Sequence, residues 1–299
     1  MGVFLMLLSS LFFTLSTFFG KLVANTTEMD AIITSFVRYF LGMLGLAVYM
    51  RLKGISFRPV KAGPVIIRSL LNASALILLT GSLNFTTITN ANMIHLTYPV
   101  FVFLFARFIT GEKLRPIAFF YLFLILVGTY VVSEPNLDHI NVGDLISFAS
   151  AIFAGLAILY LTEARRTDST ITILFYLMFI GTLISFPLIV KDLKYIAFDS
   201  SGIVLLAAGA GFLGQLFTTE GFKYVDSPTG SILSSSRMIM AAILGYLFLS
   251  EPLNLRIILG ITLILAALVG VSGYGGVLRE KFMGKEPEKA ARAEETPNG

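Results

Sequence analysis

The chain has 299 residues, 56% of them hydrophobic and only 13% charged, with a mean hydropathy of +0.85. Soluble domains carry ~25% charged residues, so this composition excludes a water-soluble globular protein and describes one embedded in a bilayer. The absence of cysteine removes disulfide frameworks and thiolate metal sites, and the net charge of +4 falls mostly in short loops and the tail, which signals membrane orientation and not nucleic-acid binding.

A membrane-crossing helix needs ~20 apolar residues. Ten stretches qualify, near residues 3–23, 30–51, 64–83, 88–109, 116–133, 142–163, 170–190, 202–222, 228–249 and 255–274. The first lacks a basic leader and a small-residue cleavage site, so it is read as helix one and not as a signal peptide. Pro64, Pro116 and Pro228 stand near first turns, where a missing N–H costs nothing. Asp226 and Ser227 are cap candidates, and Asp30, Asp144 and Asp168 lie at other helix starts, where a carboxylate complements the dipole.

With the N-terminus in the cytoplasm, the inner loops hold Arg51, Lys53, Arg58, Lys61, Arg107, Lys113, Arg115, Arg165, Arg166 and Lys223. The outer ones hold little beyond Lys191, Lys194 and Arg256. This bias places both termini inside. From residue 275 the chain turns polar and reads as a disordered, charged cytoplasmic tail, residues 275–299.

Sliding the chain by 139 positions sets Phe85 on Tyr224, Glu112 on Glu251 and Leu114 on Leu253, and a nearly equal shift sets Ser10 on Ser150 and Asp30 on Asp168. Each half then holds five spans, residues 3–137 and 142–274. An odd number of spans inserts the second copy upside down, the inverted-repeat design of many secondary transporters. The expected fold is therefore an all-α membrane protein of ten helices in two inverted five-helix repeats.

Arginine inside helix two (SFVRYFLG), Tyr-Pro within helix four and a glutamate just after it (TGEKL) resemble the EamA family of the drug/metabolite transporter superfamily. The resemblance covers residues 3–274. It departs from the family pattern at Met238, where the second half often repeats the proline, and at Arg237, which answers Tyr98. Family members include exporters of amino acids and drugs as well as uptake carriers, so the resemblance implies a transport class and no particular substrate.

Ionisable groups within a bilayer are costly, about 2.5–3.5 kcal/mol for a central arginine on insertion scales. Arg38 and Arg237 lie near the middle of their spans and suit an anionic group of a substrate. In similar family members an arginine stands at the place of Arg38 across substrates, which the resemblance makes a structural role. Asn92, His95 and Pro99 fall on one face at i, i+3 and i+7, with Tyr98 beside them. His95 is either a proton-coupling or substrate-bonding group or a packing histidine. Pro99 releases a carbonyl at Leu96 or His95, or hinges the helix. Ser234 shares a face with Gly230 and Arg237, while Gln215 and Tyr176 add polar groups from helices eight and seven. Glu220 reads as a local partner of Lys223 or as a gate or proton carrier. Glu112 and Glu251 read as structural carboxylates at the starts of helices five and ten. Those two helices are apolar all round, which suits a lipid-facing or inter-subunit surface, so a homodimer through them fits the sequence.

No zinc cluster, P-loop or H-E-x-x-H motif is present, so neither a metal, a cofactor nor an enzyme activity is expected. The sequence reads as a secondary transporter in the inner membrane that moves a small polar or amphipathic metabolite, amino acid-like or drug-like. Export by alternating access around a midplane cavity is the leading form, with proton coupling through His95 or Glu220. The alternatives are uptake of a cofactor- or nucleoside-like metabolite, or a lipid-handling protein that is not a carrier.

Overall fold

A computed structural model describes residues 1–26, 31–82, 85–86, 88–133, 141–190, 201–249 and 254–272. Glu251, Asp30, Lys191, Lys194, His139 and the tail lie outside the described residues, as do the expectations attached to them. Twelve helices are present among the described residues, and no strand. They are α1 (Gly2–Thr26), α2 (Ala31–Leu52), α3 (Ala62–Ser82), α4 (Ile88–His95), α5 (Tyr98–Ile109), α6 (Pro116–Ser133), α7 (Val142–Arg165), α8 (Thr170–Ile189), α9 (Ser201–Gly221), α10 (Ser227–Ser234), α11 (Ser236–Leu249) and α12 (Leu255–Val271). Nine stretches among the described residues are long and apolar enough to cross a membrane, and Leu255–Val271 is a shorter apolar helix. The protein is a multi-pass membrane protein.

The expected span at 228–249 was continuous, but the structure divides it at Ser235, and the span at 88–109 is divided at Leu96–Thr97. Both divisions are tight turns. Thr97 N–H donates to Ile94 O at 3.1 Å and Ser235 N–H to Ile232 O at 3.0 Å, the i→i−3 pattern of a 3₁₀ turn. Pro99 sits in the first turn of α5, where a residue without an N–H is accommodated and cannot continue the ladder of α4. The second break forms without proline: Met238 N–H closes the turn onto Ser235 O at 3.0 Å. There Ser234 Oγ donates back to Gly230 O at 3.0 Å, a hydroxyl bond to the preceding turn of the kind that bends helices.

The two halves keep step in their element boundaries. α10 follows α4 at a displacement of 139 residues at both ends, from Ile88 to Ser227 and from His95 to Ser234. α12 begins 139 residues after α6, at Leu255 against Pro116. The principal packing pairs cross between halves: α1 with α9, α3 with α7, α2 with α8 and α6 with α12. Exchanging the five spans of one half for those of the other maps α1·α9 onto α3·α7, and leaves α2·α8 and α6·α12 in place.

Polar seams hold these pairs together. Ser9 Oγ donates to Gly214 O at 2.9 Å between α1 and α9, and Ser150 Oγ donates to Ala75 O at 2.7 Å between α7 and α3. The two acceptors, Ala75 and Gly214, are themselves 139 residues apart. α6 and α12 meet through glycines: a Cβ on Gly128 would lie 2.9 Å from Gly260 O, and one on Gly260 would lie 2.8 Å from Gly128 O. Small residues let helix backbones approach closely in a medium that gives no hydrophobic drive between helices. The outward faces of this pair, including Phe119, Phe123, Leu259 and Leu265, are exposed.

Acidic side chains finish helix starts, some on their own helix and some on another. Asn141 and Asp144 form a capping box at α7, with reciprocal bonds of 3.0 Å. Asp168 was expected at the start of the seventh span, but Ser169 is the cap of α8. The carboxylate of Asp168 instead accepts from Val60 N–H at 2.6 Å and Lys61 N–H at 3.1 Å, just ahead of α3. Gly111, at φ +71°, turns the chain after α5, and Glu112 then accepts from Ser227 N–H through both carboxylate oxygens at 3.2 Å. Glu112 is a helix-start carboxylate as expected, but the helix it serves is α10 and not the one that follows it. Asp226 also caps α10, accepting from Thr229 N–H at 3.2 Å.

Candidate functional site

The two helix breaks bring His95, Tyr98, Ser234 and Arg237 to the facing elements α4–α5 and α10–α11. His95 ends α4 and is half-buried. Its Nδ1 lies 2.9 Å from Ser150 Oγ. Ser150 spends its one proton on Ala75 O, so its oxygen accepts from His95, and the neutral imidazole carries its proton on Nδ1. That leaves Nε2 as a hydrogen-bond acceptor. The imidazole and the Tyr98 ring stand 6.1 Å apart, and Tyr98 Oη donates to Ser231 O on α10 at 3.4 Å. Tyr98 is buried and packs with Val102, Ala106, Ala151 and Leu159, so it ties the two broken helices together.

Arg237 enters at the first turn of α11. Its guanidinium lies over the Phe13 ring of α1, 4.6 Å from the centroid, a cation–π contact that suits the weakly hydrated guanidinium. Its Nε is buried with no hydrogen-bond partner, and among the described residues no carboxylate pairs with it. Gln215 on α9 is buried and its Nε2 is likewise unpartnered. An unmatched buried donor is costly, about 1–3 kcal/mol, which makes these groups conspicuous.

Other sequence candidates are placed elsewhere. Asn92 is exposed on α4 and has a partner of its own. The single face expected for Asn92, His95 and Pro99 assumed a continuous helix, and the Leu96–Thr97 turn breaks that register; Pro99 is buried. Ser234 is buried and bonds within its own helix. Tyr176 packs edge-on against Phe175 and against the main core. Arg38 on α2 lies in a separate cavity of ≈ 500 Å³ between α2, α8 and α9, which none of the groups at the breaks lines.

Glu220 was expected to pair with Lys223. Its carboxylate instead meets Arg165 Nη2 at 3.5 Å and accepts from Thr170 Oγ1, while the Lys223 ammonium lies over the Tyr224 ring. The i, i+3 pairing gave way because the α7–α8 turn presents Arg165, whose Nη1 also donates to Asp168 O at 2.9 Å. Nearby, Arg166 Nη2 donates to Thr110 O at 2.6 Å. These contacts gather the ends of α5, α7 and α9 and the starts of α3 and α8 at one end of the bundle.

Arg68 was not singled out from the sequence. It is fully buried in α3, donating from Nη1 to Asn72 Oδ1 at 2.7 Å, with Nε unpartnered. The signal was an arginine within an apolar helix, with an asparagine four residues on to receive it. Ser150, the support of His95, was legible as a polar residue of its span and as the repeat partner of Ser10, whereas Phe13, the support of Arg237, gave no signal; the partner of each depends on helices far away in sequence.

The family model for the EamA-like transporter family matches the chain over two stretches, residues 1–134 and 141–273. The pseudopaline exporter CntI of Pseudomonas aeruginosa, from strains UCBPP-PA14 and PAO1, is 25% identical over 273 residues, covering 91% of this chain and 95% of the relative. An uncharacterised transporter of Helicobacter pylori J99 is 23% identical, covering 89% of this chain and 92% of its own length. One of Archaeoglobus fulgidus is 24% identical, with 80% and 86% covered. A solved crystal structure superposes with a TM-score of 0.74 at 15% identity, covering 91% of this chain and 96% of that one, which shows a shared fold.

Proposed function

Because the chain belongs to the EamA-like transporter family, we propose that it is a secondary transporter that exports a small polar or amphipathic metabolite by alternating access. The observation that carries this reading is that Arg237 and His95 each stand beside a helix break with hydrogen-bonding capacity left unspent. Arg237 is the anion-binding group, His95 Nε2 accepts from a donor on the cargo, and Gln215, Ser234 and Tyr98 complete the wall. Asn92 stands at the rim. Broken helices of this kind are where transporters of inverted-repeat design hold their substrates.

Several observations support two inverted five-helix repeats, residues 3–137 and 142–274. They are the double family match, the 139-residue displacement of element boundaries, and a packing pattern that survives exchange of the halves. Both termini then lie in the cytoplasm, and the two halves rock about the breaks. In that orientation the Arg165–Glu220–Thr170 contacts stand at the cytoplasmic end, where Glu220 serves as a gate group whose protonation weakens its hold on Arg165. Export is favoured over uptake because the Pseudomonas relative is named an exporter.

The test is transport by the purified full chain in liposomes. A panel of amino acids, small carboxylates and drug-like compounds is offered with and without a pH gradient. At least one should move in a saturable manner, and Arg237→Ala should abolish that movement while the protein remains folded. Failure of every compound under both conditions would overturn the carrier reading.

A further inference from the structure

The cavity at Arg38 is separate from the site at the helix breaks, and its walls have a simple plan. On α2 it is lined by Arg38, Leu41, Gly45 and Tyr49, spaced as one helical stripe, and a matching stripe on α9 includes Leu205 and Gly209. The volume of ≈ 500 Å³ falls within the ~300–1,000 Å³ of small-ligand pockets. A Cβ built on Gly45 or on Gly209 would meet nothing within 4 Å, so these glycines open the groove and are not filled by neighbours. Leu41, Tyr49 and Leu205 are exposed, so the groove opens on the outer surface of the helices, where the bilayer lies.

Arg38 is the one charged residue of the lining. Its side chain crosses to α9, with Cδ and Nη1 packed over Gly211, and its guanidinium lies 5.1 Å from the centroid of the neighbouring Tyr39 ring. Among the described residues no carboxylate meets it. The residue stands seven positions into a helix of 22, about 10 Å from its start, too deep to reach the interface easily. A cation held there has an apolar channel beside it, running to Tyr49 over ~16 Å of helix.

We propose that this groove is a lateral site for a single-chain carboxylic acid, with the carboxylate on Arg38 and the hydrocarbon chain along Leu41–Tyr49 and Phe212–Leu216. Charge complementarity selects the head group, since a carboxylate gives Arg38 a charge-assisted, bidentate partner. Depth argues against a phospholipid, whose phosphate stays at the interface, whereas a carboxylic acid crosses the apolar region protonated and ionises beside the guanidinium. The channel admits one chain of medium length. The site does not depend on the transport reading.

The experiment uses the full chain in neutral phosphatidylcholine nanodiscs, titrated with a brominated laurate and with the brominated alcohol of the same length. Bromine quenches tyrosine emission, and the chain has 11 tyrosines and no tryptophan, with Tyr49 on the groove wall. Saturable quenching by the carboxylate should be about tenfold tighter than by the alcohol. Arg38→Gln should remove that preference, and Gly209→Leu, which fills open space, should remove saturable quenching by both. Equal quenching by the two head groups in the native protein, or saturable quenching unchanged in Gly209→Leu, would overturn the proposal. The glycine variant decides the matter even where Arg38→Gln fails to fold.

Discussion

Glu112 and Ser227 stand 115 residues apart in sequence, yet both carboxylate oxygens of Glu112 accept from the backbone N–H of Ser227. The contact supplies an anion at the N-terminus of α10, where unpaired amides and the helix dipole favour one. Ser227 Oγ donates in turn to Thr162 Oγ1 at 2.8 Å, which fixes the same turn to α7.

Glu112→Gln keeps the acceptor and loses the charge, and should cost about 1 kcal/mol of stability; Glu112→Ala loses both and should cost ~1–2 kcal/mol. Thermal unfolding of the purified protein should rank native above Gln above Ala. Identical midpoints for all three would show that the contact braces nothing.

Arg237→Ala should abolish substrate binding and lower the unfolding midpoint only slightly, since the guanidinium's Nε has no protein partner and its contact with Phe13 is the one lost. Arg237→Lys should recover only part of it, since an ammonium keeps the charge but not the planar stack on Phe13. Phe13→Leu should weaken binding by about 0.5–1 kcal/mol, a few-fold, through the lost cation–π contact. Binding isotherms on the three variants separate charge from shape.

Ser150→Ala removes the acceptor of His95 Nδ1–H, so the imidazole no longer has one preferred tautomer or rotation. Loss of about 1 kcal/mol of positioning should weaken substrate affinity roughly fivefold. Nitrogen chemical shifts of His95 give an independent reading: the native protein should show the Nδ1–H form and the variant a mixture. A native spectrum showing Nε2–H would reverse the assignment.

Pro99→Ala tests whether the first break depends on proline. Since the second break forms at Ser235 without one, the Thr97 turn should persist and stability should change by less than about 1 kcal/mol. Hydrogen exchange across α4–α5 should still show the division. A continuous, protected helix in the variant would mean that proline alone makes the break.

Gly260→Leu should destabilise the protein strongly, because a side chain there runs into Gly128 O and Val132. Overpacking of this kind costs typically ~1–3 kcal/mol or more, and it should lower the unfolding midpoint even in mild detergent. An unchanged midpoint would place the α6–α12 contact among the dispensable ones.

The spans and their ends were legible because apolar length and terminal punctuation are local signals. Pro116 and Pro228 mark helix starts within a residue or two, and the structure agrees. Pro99 was legible as a residue that frees a carbonyl or hinges the helix, but the span around it was read as continuous. The break at Ser235 was not, since three serines in an apolar span read equally as helix-packing residues. Partners were harder than elements. Glu112 was readable as a helix-end carboxylate, but its helix begins at Ser227; Glu220 had Lys223 on its next turn and Arg165 across the bundle. Such choices are made by tertiary approach, which leaves no trace in spacing. Arg68 was legible and overlooked.

The exchanged caps bear on how the chain is made. α3 emerges from the ribosome long before its cap, since Val60 N–H and Lys61 N–H wait for Asp168, 108 and 107 residues later. α10, in the opposite sense, finds Glu112 already synthesised. Neither half therefore owns all the groups that finish its helices. Co-expressed as separate fragments, the halves should each be prone to degradation alone and rescued together, so that completion of the polypeptide, more than insertion of any single span, is the step at which this protein becomes durable.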